Sequence, residues 1–304
     1  MFSLSTCWFG GRDKKGDAMV DEALEMGFAA LELGYALRGE DAEAILRRAG
    51  KGEIAISSVH AFSPAPADRP GHPELYSPSS EKEDERALAV SKVLETLELA
   101  RRAGASAVVL HAGRIQSAAR LWLWVEERIA SDAADGFWYR HRLRKMEKAR
   151  AEGIAAAMAS LRRSLGELLP SFEAAGVRLA IENLPSFDAI PQPDEADALV
   201  REFSSSRAFA LWYDMGHGQR MENLGYGSGV EYARRHSRVL AGVHIHDVVG
   251  PVGDHQAPGQ GGMDYKSYRF LSGVGARVFE PAASVLKEDI VAGRKMLETV
   301  WGTP

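Results

Sequence analysis

The sequence has little cysteine, no long apolar run and no excess of positive charge. Cys7 is the only cysteine among 304 residues, so no disulfide can form within the chain, and we expect Cys7 to be a small buried residue. No apolar run approaches the roughly 20 residues that a membrane-spanning helix needs. The first residues lack the basic segment and the long apolar stretch of a secretory signal. We therefore expect a cytoplasmic protein without a membrane segment.

The charge balance argues against a general nucleic-acid-binding protein. Lys and Arg number 37 against 42 Asp and Glu, which leaves a net charge of −5. Nucleic-acid binding depends on a positive field, which here could exist only as a local patch at Arg114, Arg140 and Arg142. Hydrophobic residues make up 45% of the chain and charged residues 26%, as in ordinary globular proteins. A chain of this length and composition can bury a large core.

Apolar strand-like segments alternate with helical patterns along most of the chain. We predict eight strands, at Phe2–Phe9, Phe28–Leu33, Ile54–His60, Ala107–Ala112, Val177–Glu182, Ala208–Asp214, Leu240–Asp247 and Ala276–Glu280. Strands that alternate with helices favour parallel pairing with helical crossovers. Since α/β barrels often use about 250 residues as one domain, we predict a single α/β domain over residues 1–304, folded as a (β/α)8 TIM barrel.

Two regions depart from this alternation. After the fourth strand, residues 114–150 predict a helical insertion, with helices over Leu121–Ala130 and from Tyr139 to Leu169. Its aromatic residues exceed what one helix face needs, and we expect them to pack the insertion onto the barrel, while a site wall or a subunit contact stays open: Trp122, Trp124, Phe137 and Trp138. After the seventh strand we predict a loop over Gly250–Gly262 and a short helix over Asp264–Leu271.

Six of the eight predicted strands end in side chains of types that can bind metals. These residues are His60, His111, Glu182, Asp214, His244 with His246, and Glu280. The carboxyl ends of the strands carry the active site in such barrels, so the six ends should converge. Buried carboxylates are costly without a cation, and this mixture suits Mn²⁺, Zn²⁺, Co²⁺ or Fe²⁺ better than Mg²⁺. His217 and His255 lie close by in the chain and could contact the metal, the substrate or only the backbone.

Five segments together resemble the xylose isomerase-like TIM barrels. They are Ile181–Asn183, Tyr213–His217, Val243–Asp247, Asp254–Gly261 and Phe279–Pro281. The resemblance extends in order over almost the whole chain and is weakest at residues 114–150. This superfamily includes sugar and sugar-phosphate isomerases and epimerases, inosose dehydratase-type lyases, hydroxypyruvate isomerase and AP endonucleases of the endonuclease IV type.

The resemblance implies a metal set and a proton-transfer pair. One divalent metal would be held by Glu182, Asp214, His244 and Glu280, while His217 and His255 would face the substrate. The implied activity is isomerisation or epimerisation of a sugar, sugar acid or sugar phosphate through a metal-stabilised enediolate, with Glu182 and Glu280 as acid and base. The cofactor would be one Mn²⁺, Zn²⁺ or Co²⁺ ion, with Mg²⁺ less suited. The expected partner is a small carbohydrate, and a homo-oligomer stays open.

The main competing function is that of an AP endonuclease of the endonuclease IV type. In that branch the histidines matching His60, His111, His217 and His255 are further ligands of a three-zinc cluster. The branch also has an aspartate two residues before the loop histidine, where this chain has Gly253, with Asp254 displaced by one. The acidic balance of the chain also disfavours DNA as a partner. Two further functions stay open, an inosose dehydratase-type lyase and a barrel that binds metal and sugar without catalysis.

Three residues near these motifs have roles that the sequence leaves open. His246 lies two residues, about 6.6 Å, beyond His244 along a strand, which suits contact with the substrate or support of the ligands. Glu32 ends the second predicted strand and could bind a ligand, support the site or be structural. Trp8 could pack on a sugar face or belong to the core.

Overall fold

The computed structural model describes residues 1–302 and contains a closed barrel of eight parallel strands. The barrel strands are β1 Ser3–Ser5, β2 Ala30–Leu33, β3 Ala55–His60, β4 Ala107–Leu110, β5 Arg178–Glu182, β6 Phe209–Asp214, β7 Leu240–Ile245 and β10 Ala276–Phe279. The first seven pair in chain order, and β10 closes the barrel between β7 and β1. A separate antiparallel pair is formed by β8 Asp247–Val249 and β9 Gly253–Gln256. The predicted (β/α)8 architecture is confirmed.

Helices surround the barrel and occupy most of the connections between strands. They are α1 Gly16–Glu25, α2 Gly39–Gly50, α3 Glu83–Ala103, α4 Gln116–Ala130, α5 Gly136–Ala175, α6 Pro193–Glu202, α7 Met215–Asn223, α8 Gly229–His236 and α9 Lys287–Trp301. Short 3-10 turns lie at Thr6–Phe9 and Arg269–Gly273. Within residues 1–302, none of the helices combines the length and apolarity that crossing a bilayer requires.

The interior of the barrel is filled by small side chains around one large ring. Trp212 of β6 is fully buried there among alanines and valines, which are Ala107, Val109, Ala180, Ala210, Ala241, Ala276 and Val278. A Cβ atom at Gly242 would overlap the Trp212 ring, so glycine at this point of β7 makes room for the indole. The packed centre leaves only the carboxyl rim of the strands available for a site.

Several predicted boundaries around the seventh strand were wrong. The strand ends at Ile245 instead of Asp247, because the Asp247 carboxylate accepts hydrogen bonds from the backbone N–H groups of Val248, Gly259 and Met263 and turns the chain into β8. The predicted loop over Gly250–Gly262 therefore contains β9. The helix predicted over Asp264–Leu271 is only the 3-10 turn at Arg269–Gly273.

Two other local predictions also need correction. The first strand is short and continues from Ser5 into a 3-10 turn over Thr6–Phe9. The helix α7, whose start is rich in glycine, was not predicted from the sequence. Its N-terminus is stabilised by the Asp214 side chain, which accepts a hydrogen bond from the backbone N–H of His217 at 2.7 Å. The same carboxylate therefore starts a helix and lies in the site.

The insertion after β4 consists of α4 and the first half of the 40-residue helix α5. Trp122 is 2% exposed and packs near Phe187, as the sequence predicts. The same prediction was wrong for Phe137 and Trp138, which are 68% and 72% exposed. A 40-residue helix is about 60 Å long, so its first turns can extend beyond the barrel core. These two rings lie in the first turn of α5.

Arg150 ties α5 to the connection between β5 and α6. Its guanidinium pairs with both carboxylate oxygens of Glu195, at 2.7 and 2.9 Å, and donates to the carbonyls of Phe187 and Ala189. Arg150 is buried, so these groups have little access to water as a replacement partner. This connection directly follows the strand that carries Glu182. Arg150 therefore fixes the chain segment next to that residue.

We expect Arg150→Ala to lower the free energy of unfolding by about 3 kcal/mol, because the change leaves a largely buried carboxylate and two carbonyls without a partner. The measurement is urea denaturation. Arg162→Ala is the matched control, since Arg162 pairs with Glu202 at the surface, where such pairs contribute below about 1 kcal/mol. Equal, small losses in the two variants would contradict the anchoring role of Arg150.

Candidate metal centre

The strand ends converge at one rim of the barrel, as the sequence predicts. His60, Glu182 and Asp214 are the last residues of β3, β5 and β6. His111 and Glu280 directly follow β4 and β10. The remaining four candidates are histidines: His217 in α7, His244 in β7, His246 just before β8, and His255 in β9. The nine residues form three groups whose ligating atoms lie within 4.8 Å of one another, with Glu182 shared by two of them.

The central group consists of Glu182, Asp214, His244 and Glu280, all buried. Nδ1 of His244 lies 3.0 Å from a Glu182 oxygen, 3.3 Å from a Glu280 oxygen and 3.6 Å from an Asp214 oxygen. Three carboxylates and one imidazole that face a common point form a donor set for a divalent cation of the Mn²⁺, Zn²⁺ or Co²⁺ type. The residues therefore fit the metal that the family resemblance implies.

The carboxyl groups of this centre are electrostatically unequal. Burial opposes ionisation of Glu182, but His244 and His111 hold its pKa well below the usual value. Burial raises the pKa of Glu280 to about 7, and the negative charges of Glu32 and Glu182 act in the same direction. This centre thus contains more negative charge than His244 alone can neutralise. A bound cation would relieve the repulsion.

A second group joins His60 and His111 to the other oxygen of Glu182. Nε2 of His60 lies 3.3 Å and Nε2 of His111 lies 3.1 Å from Glu182 Oε2. That oxygen is buried and has no hydrogen-bond partner among the described residues. Burial lowers the pKa of His111, but the negative charges of Glu182 and Glu74 outweigh it and raise the pKa to about 9. An imidazolium at His111 or a second cation would satisfy Glu182.

The third group contains His217, His246 and His255, and its members are not equivalent. His217 donates from Nδ1 to the carbonyl of Asn183 at 3.0 Å, and His255 donates from Nδ1 to the carbonyl of Glu280 at 2.9 Å. Their Nε2 atoms are left as acceptors. His246 accepts the backbone N–H of His255 at Nδ1 and donates from Nε2 to Asp214, at 2.8 and 2.9 Å. His246 therefore has no free ring nitrogen and supports Asp214.

Burial and charge keep the two histidines with free Nε2 atoms neutral. Burial lowers the pKa of His217. Burial, together with the neighbouring rings of His246 and His217, lowers the pKa of His255 to about 3. Two neutral imidazoles whose Nε2 lone pairs are not engaged by the protein can accept hydrogen bonds from hydroxyl groups or bind a metal.

The sequence left the roles of Glu32 and Trp8 open, and it did not indicate the role of Asn183. Glu32 is completely buried and accepts from His244 Nε2, a role that a charged residue inside an apolar strand could have signalled. Asn183 bonds to both backbone groups of Asp214, at 2.8 and 3.0 Å, and so connects β5 to β6. Trp8 is fully buried and donates its indole N–H to the carbonyl of Val285, so it belongs to the core.

The family model described as a xylose isomerase-like TIM barrel matches residues 20–271, which is most of the chain. The chain belongs to this family. The resemblance inferred from the five sequence segments is thereby confirmed. No curated protein sequence matches the chain significantly.

Solved structures agree with this xylose isomerase-like barrel in fold. A D-tagatose 3-epimerase-like protein superposes with a TM-score of 0.70 at 18% identity, over 98% of this chain and 96% of the other. The apo 3-keto-D-glucoside 4-epimerase YcjR from E. coli gives a TM-score of 0.69 at 15% identity, over 98% of both chains. The IolI protein, solved with a bound zinc atom, gives 0.65 at 14% identity, over 99% of this chain and 97% of the other.

We expect His244→Ala to lose bound divalent metal, because it removes the nitrogen at the centre of three carboxylates. His246→Ala should keep its metal, since both nitrogens of His246 already form hydrogen bonds and the four central residues stay intact. Elemental analysis of the two purified variants, after equal loading with Mn²⁺ or Zn²⁺, measures metal atoms per chain. Retention of metal by the His244 variant would rule out the central group as the site.

Proposed function

We propose that this xylose isomerase-like barrel is a divalent-metal-dependent isomerase or epimerase of a small carbohydrate. The observation that carries the proposal is the convergence of the Glu182 and Glu280 carboxylates with Asp214 and His244 within 4.8 Å. Proton abstraction beside a carbonyl needs a base, an acid and stabilisation of the resulting charge, and this group offers all three. The names of the epimerase neighbours and the zinc atom in IolI are consistent with this choice.

Glu182 and Glu280 are the proposed proton-transfer pair. They extend from β5 and β10, which are separated by β6 and β7 in the barrel, so a substrate over the centre can lie between them. Without a metal, His244 and His111 hold the pKa of Glu182 low while burial raises that of Glu280 to about 7, so the two carboxyl groups are already unequal before a cation binds. When bound, a divalent metal would polarise the substrate carbonyl and lower the pKa of the adjacent C–H. Glu182 then accepts that proton, and Glu280 returns one.

The surrounding histidines are proposed to orient the substrate. His217 and His255 present free Nε2 atoms that can accept hydrogen bonds from sugar hydroxyls. His255 is about a third exposed at its side chain, whereas His217 is buried, so His255 can reach a ligand at the mouth. His60 and His111 lie on the other side of Glu182 and can either bind substrate oxygens or hold an additional cation.

One observation favours a second candidate, an AP endonuclease of the endonuclease IV type. The nine residues form three ligand groups, which is the number that a three-zinc cluster needs. The third group lacks a carboxylate, however, because Asp254 pairs with Arg220 at 2.7 Å. Arg114 is likewise engaged by Glu74, at 2.7 Å, and by Asp188. Neither arginine is free to bind a DNA phosphate, so we rank this function second.

Solvent exchange tests the proposed proton transfer directly. The purified protein with Mn²⁺ is incubated in D2O with a panel of ketoses, and deuterium at the carbon beside the carbonyl is measured by NMR. We expect deuterium in the true substrate and its product. Glu182→Gln and Glu280→Gln should each lower turnover by about 100-fold or more, because each removes an acid/base group. Glu98→Gln, an exposed carboxylate on α3, is the control and should leave turnover unchanged.

The same protein discriminates between the two functions. About one metal atom per chain and no cleavage of duplex DNA that contains an abasic site would support the isomerase or epimerase. Three zinc atoms per chain together with cleavage at the abasic site would overturn it in favour of the endonuclease. Full turnover in the Glu182→Gln variant would overturn the assignment of the proton-transfer pair.

A further inference from the structure

We infer that Glu32 is a positioning residue that makes His244 present its Nδ1 atom to the metal. The inference rests on the proposed metal centre, but it concerns a residue outside the proposed ligand set and a specific atom of His244. Glu32 lies at the carboxyl end of β2, on the far side of the His244 ring from the other three carboxylates.

Both oxygens of the Glu32 carboxylate have hydrogen-bond partners inside the barrel. Both of its oxygens lie near Nε2 of His244, at 3.1 and 3.2 Å, and one of them accepts the hydroxyl of Ser58 at 2.8 Å. Glu32, Ser58 and His244 are all completely buried. Burial raises the energy of a charged carboxylate, yet the charges and hydrogen bonds of His244, His60 and Ser58 hold the pKa of Glu32 below its usual value.

The Glu32 contact selects one tautomer of His244. A carboxylate accepts but does not donate, so Nε2 of His244 must carry the proton that the two groups share. In the neutral ring, the lone pair then lies on Nδ1. Nδ1 is the atom that faces Glu182 at 3.0 Å and Glu280 at 3.3 Å. A carboxylate behind a ligating imidazole also increases the basicity of the ligating nitrogen.

Packing alone does not make this selection. His244 stacks on His60, with ring centroids 5.8 Å apart and planes 4° from parallel, and Trp212 meets it edge-on at 5.1 Å. These contacts hold the plane of the ring. A half-turn about Cβ–Cγ would keep that plane but would put a carbon atom where Nδ1 now faces the carboxylates. Glu32 distinguishes the two orientations because only a ring N–H can donate to it.

A purely structural role would make a poor explanation of this carboxylate. Its neighbours in β2, Leu31 and Leu33, are apolar and fully buried. Replacing a buried charged pair by apolar side chains of similar volume is often neutral or stabilising, so stability alone does not require a glutamate here. The position of the carboxylate directly behind the proposed ligand points to metal binding.

The test measures metal affinity in metal-free protein by competition with a chromogenic chelator, using Zn²⁺ as the probe. We expect Glu32→Gln to weaken binding by about 10-fold, because the amide still accepts from Nε2 but has no charge, and Glu32→Leu by about 100-fold. Asp41→Asn is the matched control. Asp41 is also a buried carboxylate, but it accepts the backbone N–H of Gly16 at the start of α1 and belongs to none of the three ligand groups, so this variant should keep the wild-type affinity.

A second readout identifies the ligating atom. In protein labelled with ¹⁵N at histidine and loaded with Zn²⁺, the His244 signals should show a proton on Nε2 and the metal on Nδ1. Unchanged zinc affinity in Glu32→Leu, with only a lower free energy of unfolding in urea, would overturn the positioning role while leaving the metal centre intact. Failure of the wild-type protein to bind zinc would instead overturn the centre itself, and the inference with it.

Discussion

The concentration of negative charge around one buried imidazole is the constraint on which the site depends. His244 has carboxylates on both sides of its ring, Glu32 at Nε2 and Glu182 with Glu280 at Nδ1. Buried charges of one sign repel strongly where water cannot screen them. His244 and His111 offset part of this charge, and a divalent cation would offset the rest. The arrangement is therefore costly for a structural element and well suited to a metal-dependent reaction.

The barrel places these charged side chains at its carboxyl rim and keeps its centre apolar. Its centre is closed by Trp212 and small residues, so polar side chains are directed to the carboxyl rim. Loops then support the rim from outside. Asp247 accepts the backbone N–H groups of Val248 in β8 and of Gly259 and Met263 after β9, and so connects the two ends of the hairpin that carries His255. Arg150 holds the chain that follows Glu182. Rigid support of this kind keeps the proposed ligands near one geometry.

Much of the fold and of the candidate site was predictable, and the failures have physical causes. The strand-end residues from His60 to Glu280 were visible because parallel strands place their carboxyl ends at one rim. α7 was missed because the capping of its glycine-rich start by Asp214 is not a periodic signal. The role of Asp247 was missed because its partners lie up to 16 residues away. Phe137 and Trp138 were expected to pack the insertion onto the barrel, but the sequence contains no measure of how far α5 extends.

The sequence by itself determined the alternation of strands and helices, the family and the identity of the residues at the rim, since these follow from local periodicity and from short motifs. Only the tertiary structure decided how those residues are grouped. It separated His244, which faces three carboxylates, from His246, whose two nitrogens are both engaged by Asp214 and the backbone of His255. It also placed Glu32 behind His244, 212 residues away in the chain. Such pairings depend on the closure of the barrel, which lets side chains of β2 and β7 meet in its interior. No local sequence pattern encodes a contact between residues so far apart in the chain.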